Sequence, residues 1–135
     1  MAIQNIVPIN RLLEGEGGKL TIPVGSGRDY GRSVIQQADG KLVVAGSSEN
    51  GSGSTMDSDF SLIRLNRDGS LDSSFGSGGK LIMPVGQGFD YGQSVIQQAD
   101  GKLVVAGHSS VSLKDTDFSF IRLHSNGSLD SSFAS

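Results

Sequence analysis

The chain has 135 residues, 36% of them apolar and 6% aromatic, with no Trp and no Cys. That length fits one domain whose core must come from Val, Ile and Leu, and it leaves no disulfide or thiolate metal site. A net charge of −3 argues against a nucleic-acid or anionic-membrane surface, and no run approaches the ~18 apolar residues of a membrane span.

Residues 1–16 read as an N-terminal arm. Residues 1–10 lack the basic start and long apolar stretch of a signal peptide and are expected not to be one; residues 3–13 have no clear period. Residues 19–24 (KLTIPV) are the first strand candidate. Pro23 has no N–H to give to a ladder, so this strand belongs at the outside of its sheet. A glycine-rich loop at residues 25–31 follows, then a short strand at residues 33–37 (SVIQQ) and a β-branched one at residues 41–46 (KLVVAG). Asp39-Gly40 between them is a strong hairpin signal. Residues 47–58 form a loop, residues 60–65 (FSLIRL) a further strand, and Asp68-Gly69 a second turn. Residues 80–85 (KLIMPV), with Pro84, then repeat the first strand.

The whole series recurs. Residues 17–46 match residues 78–107 at 25 of 30 positions, and residues 59–75 match residues 117–133 at 13 of 17. The offset falls from 61 to 58 between these blocks, so the intervening segment is a loop that tolerates length change. The repeats span about residues 17–77 and 78–135. The 20 glycines punctuate short apolar runs, as in an all-β protein rich in tight turns. A unit of about 60 residues with four antiparallel strands has the size of a β-propeller blade, of which rings hold about four to eight.

Residues 36–46 (QQADGKLVVAG) and 59–79 (DFSLIRLNRDGSLDSSFGSGG), with counterparts at 97–107 and 117–133, resemble the delta-60 repeat family of bacterial proteins. The resemblance covers about residues 17–133 and implies a β-propeller and tandem repetition, with no catalytic residues. Residues 11–16 lack the family's Leu-Asp-x-x-Phe-Gly lead-in, and the last repeat stops before its Gly-Gly-Lys strand.

By analogy with similar propellers, the strand entering the Asp-Gly hairpin is innermost (position a), followed by b, c and an outermost d. The chain then reads d, a-b-c-d, a-b-c. Its start carries the strand that its end lacks. Two blades cannot bend into a ring, so the outer strand of the last blade is expected from residues 17–25 of a neighbouring chain. The expected fold is a propeller with two four-stranded blades per chain, completed as a homo-oligomeric, head-to-tail ring. Six blades in a trimer are favoured, with four or eight as alternatives; a piece of a longer array is the other reading.

Each candidate site has a plain structural reading beside it. The loops containing Arg28, Asp29 and Tyr30, and Phe89, Asp90 and Tyr91, join d to a. An aromatic, a carboxylate and glycines suit carbohydrate binding at a ring face, or else Tyr packs between blades and Asp caps the turn. Asn66, Asp68 and Asp72 carry oxygens at alternating positions, as a calcium loop does, or they stabilise a turn. Asp57 and Asp59, like Asp115 and Asp117, share a strand face; acid–base work would need a pocket that shifts their pKa values, and a solvated strand start is the expectation. Arg64 and Arg122, inside an apolar strand, could bind a carboxylate or sugar, but are expected to be structural, bonded to an Asp such as Asp72 or Asp130 or to blade carbonyls. His108 and His124 read as surface residues. No catalytic triad, phosphate loop or His-pair metal motif occurs, so the expectation is a non-enzymatic scaffold or interaction module with no cofactor and itself as partner. A lectin-like ring is the alternative. No compartment is indicated.

Overall fold

The computed structural model describes residues 14–51, 53–112 and 114–135. Most of the N-terminal arm, including residues 3–13, lies outside the described residues. The strands are β1 (Glu14–Glu16), β2 (Lys19–Thr21), β3 (Asp29–Gln36), β4 (Leu42–Asn50), β5 (Asp57–Leu65), β6 (Lys80–Met83), β7 (Asp90–Gln97), β8 (Leu103–Ser110) and β9 (Thr116–Leu123). They form an antiparallel sheet β3-β4-β5-β6, a second sheet β7-β8-β9 and a separate hairpin β1-β2. The first repeat thus forms a four-stranded sheet, and among the described residues the second forms the same sheet without its fourth strand.

Local chemistry explains much of this. In the first hairpin Gly40 N–H donates to Gln37 O (2.9 Å), Gln37 N–H donates to Lys41 O (2.8 Å), and the Asp39 carboxylate accepts Lys41 N–H (3.0 Å). Gly40 and its counterpart Gly101 sit at φ near +90°, which favours glycine. β6 is an edge strand and ends at Met83, just before Pro84. β2 ends at Thr21, ahead of Pro23.

The inner strands run further than their apolar runs suggested. β3 begins at Asp29 rather than Ser33, and β4 continues through Gly46 to Asn50. Gly46 is a close approach: a Cβ there would lie 1.7 Å from Tyr30 O, beside a bulge between Gly31 and Ser33. A Cβ at Gly107 would clash with Tyr91 O in the same way. The glycine lets the ladder pass instead of ending it. The length-variable loop shrinks accordingly, to a short turn that includes a 3-10 segment at Gly53–Thr55.

The core joins Val43, Ala45, Phe60, Leu62 and Phe75 of the first blade to the second blade, with Val95 at the junction. Each such side chain, once fully buried, contributes about 1.5–3 kcal/mol. Polar bonds fix the register between blades. Gly92 N–H donates to Ser47 Oγ (2.9 Å), Ser58 Oγ–H to Asp90 O (3.1 Å), and Arg64 Nη1 to Ser125 O (2.6 Å). Near the end of the chain Ala134 adopts φ 59°, matching Gly76 (φ 56°) at the same place in the first repeat.

Candidate functional site

The d-to-a loops are built by their aspartates. Asp29 accepts Val24 N–H (3.0 Å) and Gly25 N–H (2.9 Å), and Asp90 accepts Val85 N–H (2.9 Å) and Gly86 N–H (3.0 Å). Both carboxylates cap their turns, and Asp90 is fully buried. Tyr30 and Phe89 are exposed; the Arg32 guanidinium lies 5.5 Å from the Tyr30 ring centre. The Tyr91 ring lies tilted against those of Phe89 (centroids 6.5 Å apart) and His108 (5.1 Å). Arg28 is exposed. The two loops occupy equivalent places on successive blades, so the six residues form two triplets.

The turn after β5 uses its oxygens internally. Asp68 accepts the N–H (2.9 Å) and Oγ–H (2.6 Å) of Ser70, which holds its carboxyl below the usual range. Asn66 Nδ2 donates to Ser70 Oγ (3.0 Å). Asp72 receives Lys41 Nζ (2.7 Å) and Arg64 Nε (2.8 Å) on one oxygen and the Ser74 N–H and hydroxyl on the other. Lys41 foremost, then Ser74, hold the Asp72 carboxyl far below its ordinary range. Among the described residues no group of His, Asp and Glu is arranged to hold a metal.

Arg64 also lies 4.9 Å over the Phe75 ring, and the second repeat copies the cluster as Arg122–Asp130 (2.8 Å), Lys102–Asp130 (3.0 Å) and Arg122 over Phe133 (4.9 Å). His124 approaches Asp130 at 3.9 Å. The lysines were not foreseen, because Lys41 and Asp72 are far apart in sequence and meet only when the blade forms.

Asp59 corrects an expectation. It is buried, as is Ser58, whereas Asp115 and Asp117 are exposed as expected of a solvated strand start. The difference is the second blade: β7 covers the start of β5 and brings Asp90 against Asp59. Asp59 Oδ1 is buried without a hydrogen-bond partner. Burial, then the charges of Asp57 and Asp90, push the Asp59 carboxyl up to about 6, against a smaller opposing bond from Asn50. A raised carboxylate costs nothing below its ordinary pKa and weakens the fold as pH rises toward 6. Asp59→Asn is therefore expected to raise the melting temperature by a few degrees at about pH 7.5, with the gain vanishing near pH 4; thermal melts across that range check it.

Among the described residues the two most exposed large apolar side chains, Phe118 and Val34, lie on the two outer faces. Val34 on β3 is 59% exposed, while its counterpart Val95 is 3% exposed at the junction. Phe118 and Phe120 on β9 are 88% and 51% exposed, while their counterparts Phe60 and Leu62 are 0% and 1% exposed. The leading face of the first blade and the trailing face of the second are thus the two halves of the junction buried inside the chain. A groove of about 410 Å³ along the leading face is lined by Leu20, Ile22, Val44 and Ile63.

Successive antiparallel sheets, packed face to face and joined from outer strand to inner strand, define an all-β architecture of the propeller kind. Residues 37–75 and 98–133, more than half of the chain, match the family described as a domain of unknown function (DUF5122) beta-propeller, and the chain belongs to that family. No curated protein matches it.

Proposed function

We propose that this chain is a delta-60-type propeller unit acting as a non-enzymatic scaffold, whose copies join head to tail into a closed ring and present the d-to-a loops as an interaction surface. The supporting observation is the matched pair of open faces: Val34 on one, Phe118 and Phe120 on the other, each the counterpart of a residue buried at the internal junction. Such a contact uses different surfaces on its two sides and closes when the rotation per copy divides the circle. A trimer with six blades is favoured, within the range of about four to eight. The lack of a catalytic or metal-binding motif in the sequence accords with this reading.

Light scattering on the purified chain tests it. The expected mass is a single multiple of 14.0 kDa, three times that value for the favoured ring, and unchanged on dilution. A 14.0 kDa species at every concentration overturns the ring.

The exposed rings of Tyr30 and Phe89 favour one second reading, carbohydrate binding by stacking, with the repeated loops adding avidity. Asp29 and Asp90 already serve backbone N–H groups, so the rings and Arg28 would carry that binding. A glycan array on which the assembled protein gives no signal removes this reading.

A further inference from the structure

Resting on the ring reading, we infer that copies are joined by strand exchange in a fixed register: β2 of one copy adds to the open edge of β9 of the next, so that Ile22, Thr21, Leu20 and Lys19 face Phe118, Ser119, Phe120 and Ile121 in turn.

The first blade supplies the template. There β6 pairs with β5 as Phe60↔Met83, Ser61↔Ile82, Leu62↔Leu81 and Ile63↔Lys80. β2 is the counterpart of β6, and β9 of β5. Two of the four exchanged residues, Lys19 and Leu20, are the same as in β6, and Thr21 and Ile22 replace Ile82 and Met83. In the first blade Arg64 N–H also donates to Gly79 O (3.0 Å) just ahead of β6. The same bond from Arg122 would reach Gly18 of the incoming chain.

The receiving site is open. Among the described residues β9 forms a ladder only with β8; its other edge carries a single bridge, Leu123↔Leu129, and no ladder over residues 118–121. Beside that edge lies a groove of about 450 Å³, lined by Phe118, Phe120, Ile121, Leu129, Phe133 and Val85. The donor is open as well. β2 pairs only with β1 among the described residues, so one of its two edges is available. Its Leu20 is exposed, whereas Leu81 in β6 packs against the core. β2 is also tied to the start of its own first blade by the Asp29 cap, just as Asp90 ties β6 to the second blade. That connection carries each exchanged strand directly into the next blade, as happens inside the chain.

The chain has no Cys, so engineered thiols report cleanly. Leu20→Cys and Phe120→Cys both change exposed side chains, and the register makes them direct partners, at a separation that a disulfide spans. The two single variants are mixed, oxidised and run without reductant. The expected result is a covalent dimer between the two variants in high yield, and a ladder from the double variant that ends at the ring mass. Leu20→Cys mixed with Phe118→Cys, slipped by two residues, is expected to cross-link far less. Equal yield in the slipped pair overturns the register. No cross-link in a protein that light scattering finds assembled overturns strand exchange and leaves the ring standing. A 14.0 kDa mass at every concentration overturns the ring and the exchange together. An intramolecular disulfide in the double variant shows β2 closing on its own chain and overturns the exchange. Circular dichroism of the reduced variants shows that each is folded before oxidation.

Discussion

Gly92→Ala is expected to unseat the second blade from the first, while Gly31→Ala leaves a folded chain that no longer assembles. A Cβ at Gly92 would lie 2.5 Å from the Gly46 carbonyl oxygen across the junction, and backbone on one side must move. Overpacking of this kind costs about 1–3 kcal/mol, or on the order of 5–10 °C in melting temperature for a domain of this size. Gly31 holds the same position in the first repeat, yet its nearest neighbour would be Val44 Cγ1 at 3.6 Å, an ordinary contact. Its φ lies outside the left-handed region, so alanine there costs the isolated chain little. In the proposed ring that methyl would meet the carbonyl of Gly107 of the next copy, as one at Gly92 meets Gly46. Melting curves measure the first effect and light scattering the second. If Gly31→Ala assembles like the parent chain, the joint between copies differs from the joint inside one.

Asp72→Ala is expected to be the most damaging single loss of a charge. Its carboxylate faces Arg64 and Lys41, and both members of the Arg64 pair are nearly buried. Removing the anion strands a buried guanidinium, and the expected cost is about 3 kcal/mol. Lys41 is partly in water and adds little to that figure. The sign with pH follows from the depressed carboxyl: the stabilisation is complete above the ordinary Asp range and fades as acid protonates the folded form. The parent chain should therefore approach the variant's stability only in strong acid, as urea titrations at neutral and acid pH would measure. Asp130→Ala is expected to do less, because Arg122 is more exposed than Arg64 and can rehydrate.

What could be read in advance was local or periodic. Asp39-Gly40 and Asp68-Gly69 announce turns within a few residues, and Pro23 and Pro84 announce an edge because a missing N–H matters wherever the strand goes. Duplication then gives two repeats in the chain. Features made by distant partners stayed hidden. The strands run past Gly46 because Tyr30 O needs the room, which nothing at residue 46 reveals. Asp59 and Asp117 sit in the same motif, yet only the one covered by β7 is buried. For the candidate loops, the sequence offered ligand binding and turn capping as alternatives. Bonds from residues 24–25 and 85–86 commit both aspartates to capping, while Arg28, Tyr30 and Phe89 keep the outward position that either reading allows.

The positive φ of Ala134 places residues 130–135 in phase with the internal linker at Gly76. Written head to tail, residues 130–135 followed by residue 17 read DSSFAS-GGKL, against DSSFGSGGKL at residues 72–81. Concatenating copies of residues 17–135 would omit residues 1–16, and β1 with them, and would give a linker that differs from the internal one at a single position, Ala134 in place of Gly76. Going from separate chains to a single chain would trade the translational entropy of bringing copies together for the smaller cost of closing loops. In the proposed ring, the choice between one long polypeptide and several short ones becomes a question of concentration.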